Sequence, residues 1–240
     1  MDYKSKYLHY KKLYLDLKLK GGELNLTRKQ LENFSEEDIV YIPDEYYEDL
    51  KKIYPTTKFD ESSLKHIYPT KDITYGEMNY EGINILVEHL HTMHKISFKN
   101  FLDIGSGRGK IPLHIAALPN VTKSVGIELV KERHDDAEEI KEQLNKYKNI
   151  VDKVTFINDD IKNIDLTDHI NDITLVWISN KCFPSKLNDK IFSKLLDVLP
   201  KDSIISCSEE YSSDKLNKID NIKVPMSWYS DSDIFIYRIV

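Results

Sequence analysis

The sequence predicts an α/β protein: a parallel sheet covered by helices on both faces, preceded by a small helical N-terminal region. Three observations predict it. From Phe98 onward, short apolar runs alternate with helix-like stretches at intervals that suit strand–helix crossovers. The seven residues Asp103 to Gly109, DIGSGRG, join one such run to IPLHIAAL, which has helical apolar spacing, so they read as strand, tight turn and helix. Finally, acids close successive strand candidates at Asp103, Glu128 and Asp160. Right-handed crossovers bring such strand ends, with Asn180 of the fourth, to one edge of the sheet.

Composition sets the outer bounds. The chain has 240 residues, of which 40% are apolar, enough to bury one main domain with a smaller appendage. Its formal net charge of -6 repels nucleic-acid phosphates overall and suits a basic protein partner. Direct contact with nucleic acid therefore falls to a local basic patch. Two cysteines, Cys182 and Cys207, are too few for a disulfide scaffold or a zinc site, which argues for a reducing, intracellular setting. No apolar run reaches membrane-spanning length, and the N-terminus lacks the apolar core of a secretory signal.

In chain order, residues 1–22 form a basic amphipathic helix, with Tyr7, Tyr10, Tyr14 and Leu17 at helical spacing and six lysines up to position 20, ended by Gly21-Gly22. It reads as a docking helix or solvated tail, or as a contact for an acidic partner. Residues 23–95 form a helical subdomain cut by Pro43, Pro55 and Pro69. Helix starts are expected at SEEDI, from Ser35, and at DESSL, from Asp60. The last helix of this region runs from Asn79 to His94 on the apolar face Ile83, Leu86, Val87 and Leu90. His89, His91 and His94 do not share one face, so they read as solvated or capping histidines and not as metal ligands. Residues 96–240 form the sheet domain. Its strands are expected at NFLDI, SVGIEL, KVTFIN, ITLVWIS, DSIISC and DIFIYRIV. Its helices are expected at KIPLHIAAL, KERHDDAEEIKEQLNKYKN and LNDKIFSKLLDVL.

The glycine turn carries the chemistry. Glycines at 105, 107 and 109 admit positive φ and lack Cβ atoms, so an adenosine-containing ligand can lie on backbone amides at the helix start; the alternative is a plain strand-to-helix connection. The spacing is G-x-G-x-G, unlike the G-x-G-x-x-G of dinucleotide folds. Asp103, just before the turn, would repel a pyrophosphate and attract the sulfonium and ammonium of S-adenosylmethionine (SAM). Glu128, roughly 20 residues past the turn, is placed to accept from ribose hydroxyls. Alone it is equally a helix N-terminal acid; beside Asp103 it favours SAM. Asp159 and Asp160 end the third strand, where an acid either accepts from the adenine amino group or caps the following turn. WISNKCFP, Trp177 to Pro184, follows the fourth strand, where an acceptor would meet the methyl group.

Taken together, YGE at Tyr75 to Glu77 ahead of a helix, FLDIGSGRGK from Phe101, GIE ending at Glu128, Asp160, SNKCF from Ser179, IIS from Ile204 and the late Ser227-Trp228 resemble the class I SAM-dependent methyltransferases. More narrowly, they resemble the non-SET histone lysine methyltransferases of the disruptor-of-telomeric-silencing family. The likeness covers about residues 74 to 240 and implies a Rossmann-like methyltransferase sheet. It implies that Tyr75 and Glu77 belong to a loop closing over the cofactor. Asp103, Gly105 and Gly107 would hold the methionine end, Glu128 the ribose and Asp160 the adenine, with Ser106, Gly109, Lys110 and Asp159 also binding the cofactor. Tyr75, Ser179, Asn180, Phe183 and Trp228 would surround the reacting groups, with Asn180 also touching the cofactor. The chain departs from the family pattern at Ser179, where a leading asparagine is expected, at Lys110, where a glutamine is expected, and at Phe235, where a channel tyrosine is expected. The first 22 residues also resemble an N-terminal element of proteins from large nucleocytoplasmic DNA viruses, which would make the protein viral.

The expected activity is methyl transfer from SAM to a lysine of a histone or histone-like protein, with histone or nucleosome as partner, no membrane, and nucleic-acid contact only through the basic N-terminus. Trp177, Phe183, Trp228 and Phe235 would line an apolar lysine channel or else simply belong to the core, and Glu209 and Glu210 would attract a basic substrate. With chromatin as substrate the site of action is the nucleus, otherwise the cytoplasm. Another protein, nucleic acid or a small molecule as acceptor, or a SAM-binding module without turnover, are the alternatives.

Overall fold

The computed structural model describes residues 42–54, 75–96, 98–167 and 172–240. The amphipathic helix expected at 1–22 and the helix starts at Ser35 and Asp60 lie outside these residues. Val40–Val240 is one compact unit. Its elements are α1 (Asp44–Ile53), α2 (Tyr80–His94), β1 (Asn100–Ile104), α3 (Lys110–Ala116), β2 (Lys123–Glu128), α4 (Lys131–Gln143), a 3-10 turn (Asn145–Tyr147), α5 (Lys148–Val151), β3 (Val154–Asn158), β4 (Leu175–Ile178), α6 (Ser185–Val198), β5 (Ile204–Cys207), β6 (Leu216–Val224) and β7 (Ser232–Ile239).

The seven strands form one sheet in the order β3-β2-β1-β4-β5-β7-β6. β1 to β5 run parallel, and β7 pairs antiparallel with both β5 and β6. Side chains alternate between the faces. Phe101, Trp177, Ile204, Ile234 and Ile236 pack on the face of α2 and α3. Leu102, Ile104, Val125, Ile127, Val176, Ile178 and Tyr237 pack with Phe192 and Leu195 of α6 on the other. Burial on both faces is why these strands read as continuous apolar runs. α1 joins the first layer through Tyr46 and Leu50, and the buried Tyr46 hydroxyl donates to the Leu113 carbonyl at 2.9 Å.

Three expectations change. β6 was not anticipated, because LNKIDNIKV buries only Val224 and carries an edge strand's charge, which keeps its open side from pairing with other chains. The long helix expected from Lys131 breaks at the buried Leu144, whose N–H is shared between the Ile140 and Lys141 carbonyls, into α4, the 3-10 turn and α5. The histidines expected to be solvated or capping separate: His91 lies by the Phe98 ring, while His89 and His94 both bond to Asp220. The common partner of His89 and His94 stands on β6, not on their own helix, so spacing along α2 does not reveal it.

Two tethers aim the segment ahead of α2. Met78 bridges Met226, and the Asn79 N–H donates to the Pro225 carbonyl at 3.1 Å. The Ser227 N–H donates to the Glu77 carbonyl at 2.7 Å, and the Glu77 N–H donates to Ser227 Oγ at 3.0 Å. YGE and Ser227-Trp228, far apart in sequence, are thereby one structural unit.

Gly109 caps α3 with φ 82°, and a Cβ there would overlap the Phe156 ring of β3. Gly109→Ala combines left-handed strain with a core clash, so it should destabilise the fold by about 2 kcal/mol or more. Urea denaturation of the cofactor-free chain measures this; an unshifted midpoint would contradict the packing described.

Candidate active site at the sheet edge

Strand register places the site. Asp103 sits opposite Gly126 and Trp177, and Glu128 opposite Asn158, so the C-terminal ends of β1 to β4 finish level. A cleft with about 680 Å³ of empty volume opens there, lined among others by Tyr75, Gly105, Glu128, Asp160, Ser179 and Phe183. A smaller recess of about 330 Å³ continues past the glycine turn, with Asp103, Ser106, Gly107 and Lys110 in its wall. Tyr75, Gly76, Gly105 and Ser179 line both.

Two buried acids organise the turn. Glu128 accepts from the Gly107 N–H through Oε2 and from the Val130 N–H through Oε1, each at 2.8 Å, while Arg133 Nη1 stands 4.0 Å away. Burial raises its pKa, against the pull of the Val130 amide, Arg133 and the Gly107 amide. Asp103 is 2% exposed, and its Oδ1 has no hydrogen-bond partner among the described residues; nor does the buried Ser106 Oγ. Burial first, and the Glu128 charge second, push the Asp103 carboxyl well above its ordinary range. A buried acceptor without a donor, beside a recess, fits a cationic ligand.

Tyr75 covers the turn. A Cβ on Gly107, which has φ 55°, would come within 2.7 Å of the Tyr75 ring. Arg133 lies over the same ring at 4.7 Å, and the Tyr75 hydroxyl is 3.4 Å from that of Tyr54. Glu77 accepts from the Tyr75 hydroxyl through one oxygen and from Lys110 Nζ through the other. Lys110 is itself buried against the rings of Tyr54 and Tyr80, at 4.7 and 5.3 Å. A single carboxylate thus ties the covering loop to the first residue of α3.

The remaining predicted residues fall into two groups. Asp159 and Asp160 line the cleft, and both also make local caps: Asp159 Oδ1 accepts from the Asp160 N–H at 2.7 Å, and Asp160 Oδ1 from the Lys162 N–H at 2.9 Å. Phe183 faces Gly105, and Trp228, 44% exposed, lies over Gly76, where any Cβ would overlap its indole. Asn180 lines neither cavity. It is buried, accepts from the Ser208 and Glu209 N–H groups at 3.0 and 2.9 Å, and donates to Asn188 Oδ1 at 3.1 Å. Gly109 stands behind the turn as the helix cap. Trp177 is buried and reaches the smaller recess but not the larger cleft. Phe235 lies on the α6 face beneath Lys218, 4.8 Å from its ring, away from both cavities. Arg133 and Tyr54 were not anticipated: one is a charge within a charged helix, the other lies far from the turn in sequence, and neither falls in a motif.

Among curated proteins, no sequence matches this chain. Among solved structures, the magnesium protoporphyrin IX methyltransferase (ChlM) from Synechocystis PCC 6803 with bound SAM is similar at 12% identity and TM-score 0.53, over 81% of this chain and 91% of that one. The putative methyltransferase yhhF from Escherichia coli is similar at 13% identity and TM-score 0.51, over 67% of this chain and 87% of that one. At such identities the likeness is one of fold. The family described as histone methylation protein DOT1 matches residues 54–232, and this match, on the Rossmann-like sheet and its glycine turn, makes the chain a member of the DOT1 family of class I SAM-dependent methyltransferases.

Proposed function

We propose that the chain transfers the methyl group of SAM to a lysine side chain of a histone or histone-like protein, acting on chromatin in a nucleus. The family match over residues 54–232 supports the acceptor class. The unpartnered Asp103 Oδ1 beside the glycine turn is the observation that carries the cofactor reading.

In this reading Asp103, Ser106 and the turn at Gly105 and Gly107 hold the methionine end. Glu128 keeps lone pairs for ribose hydroxyls beyond its two amide bonds. Asp159 and Asp160 border the place for the adenine. SAM, when bound, supplies an electrophilic methyl on a cationic sulfur. The lysine nitrogen would take that methyl as the carbon–sulfur bond broke, and S-adenosylhomocysteine would leave. The protein's part is alignment and exclusion of water. Tyr75 covers the cofactor side, while Phe183, Ser179 and Trp228 border the acceptor side. An apolar approach disfavours the ammonium form, so the acceptor gives its proton to solvent and arrives neutral. Asn180 positions the acceptor loop from below.

Calorimetry with SAM, followed by a labelled-methyl assay offering nucleosomes, free histones and nucleic acid, tests the proposal. Label on histone lysine is expected. Label on nucleic acid alone would move the acceptor to another class, and SAM binding without turnover on any of them would make the chain a binding module.

Two further outcomes follow from the charges. A cation needs Asp103 ionised, so SAM affinity should rise with pH through the raised Asp103 range, with proton release on binding. Asp103→Asn should remove that pH dependence and weaken SAM about ten- to hundredfold, the worth of a hydrogen bond to a charged group. The stability effect has the opposite sign. The cofactor-free fold keeps a proton that the unfolded chain gives up above its ordinary value of 3.8, so stability present at low pH is lost as pH rises through the raised pKa. The asparagine variant should therefore melt higher than the parent at neutral pH while binding SAM worse; calorimetry in two buffers and thermal melts measure both.

Glu209 and Glu210 pair with Lys181 and Lys218 at 2.7 and 2.6 Å and are exposed enough to exchange those partners for a basic substrate. Reversing both charges to lysine should slow turnover on a lysine-rich substrate roughly tenfold at low salt while leaving SAM affinity unchanged. Equal loss of both would reject a substrate role for these acids.

A further inference from the structure

Away from the cleft, α2 and β6 bring three metal-ligating side chains together. Asp220 Oδ2 lies 2.7 Å from His89 Nε2 and 3.1 Å from His94 Nε2, and the three donor atoms all fall within 4.8 Å of one another. The two imidazole rings meet edge to face at 5.4 Å. None of the three residues lines either cavity of the active site.

The local structure is built to aim these atoms. A register irregularity between Lys218 and Asp220 interrupts the β6–β7 ladder, the kind of bulge that re-aims a strand side chain. The other Asp220 oxygen accepts from the Asn221 N–H at 2.8 Å, which fixes the carboxylate's rotation and leaves Oδ2 toward the histidines. His94 is the last residue of α2, and Lys95 turns the chain left-handed immediately after it, with φ 54°.

We propose that His89 Nε2, His94 Nε2 and Asp220 Oδ2 bind one divalent cation of the zinc class, a structural clamp that fastens the C-terminal turn of α2 to the sheet's edge strand. Two imidazoles with one carboxylate select zinc, cobalt or nickel over the oxygen-seeking magnesium and calcium. Tetrahedral zinc with bonds near 2.1 Å holds its donors about 3.4 Å apart. The two carboxylate-to-imidazole separations, 2.7 and 3.1 Å, therefore need to open by under about 1 Å, while the two imidazole nitrogens, within 4.8 Å of each other, need to draw together. All three side chains are partly exposed, at 15%, 17% and 32%, so the cation has access and water completes its shell. The clamp acts on the helix that follows the Tyr75–Glu77 loop, and it stands whether or not the histone reading does.

The test uses the full chain stripped with a chelator and titrated with zinc chloride by calorimetry. One saturable equivalent is expected, raising the melting temperature and weakening in acid, because protons compete with the metal for its ligands. Asp220→Asn and His94→Gln should each weaken zinc at least about tenfold and abolish the melting shift, while His91→Gln changes neither. Cobalt added to the unmutated chain should give visible bands of tetrahedral intensity, a readout that does not depend on any variant folding. Absence of those bands, or zinc affinity that survives both ligand substitutions, would reduce the cluster to an ion pair between histidines and a carboxylate and overturn the proposal.

Discussion

The grip of Glu128 on two backbone amides is the constraint on which the site depends. With Gly107 on one oxygen and Val130 on the other, this carboxylate sews the turn after β1 to the turn after β2, the two adjacent strands at the centre of the cleft. Both amides are donors that a helix-preceding turn leaves unsatisfied, so the same bonds that neutralise a buried acid also complete the backbone. Gly107 can take part only because it holds a positive φ with nothing on its Cα, which lets Tyr75 close over it.

A second buried acid at Asp103 makes this arrangement costly while the recess is empty. Two carboxyls in one low-dielectric pocket cannot both ionise cheaply, and only Glu128 has donors among the described residues. The imbalance is stored where a cation is needed, so a cofactor that brings positive charge relieves it. Residues held at such cost are usual at binding sites and unusual in a plain strand-to-helix turn. Glu77 shows the contrasting solution: its charge is met at once by Lys110 and by the Tyr75 hydroxyl, so the loop it belongs to is held to α3 by the chain's own groups.

What could be read in advance divides along physical lines. Strands β1, β2, β4 and β5 declared themselves because most of their side chains are buried, and the acids at the ends of β1 to β3 could be assembled into one rim because parallel topology leaves little choice. β6 was invisible, since a charged edge strand has neither an apolar run nor strict alternation. At the site, Asp103, Glu128 and Asp160 followed from position in the chain alone. Arg133 over Tyr75, and Lys110 between Tyr54 and Tyr80, arise from contacts across the fold that no spacing encodes. The histidine pair on Asp220 escaped for the same reason: helical periodicity compares residues on one element, whereas the deciding partner sits on another.

The loop after β4 shows why a motif position and a lining position need not coincide. Ser179 and Asn180 are neighbours just past β4, yet Ser179 lines both cavities while Asn180 turns inward. Its oxygen takes the amides of Ser208 and Glu209 from the end of β5, and its nitrogen reaches Asn188 in α6. An asparagine suits this place because it alone presents, at that length, an acceptor for two backbone donors and a donor for a third group without a charge to bury. Ser179, one of the departures from the family pattern, and Lys181 flank this fixed point. At Ser179 a smaller hydroxyl leaves more room at the cleft wall, while at Lys181 a cation held by Glu209 stands beside it. The side chains on either side of Asn180 are therefore free to change without disturbing the clip that holds the loop to the sheet.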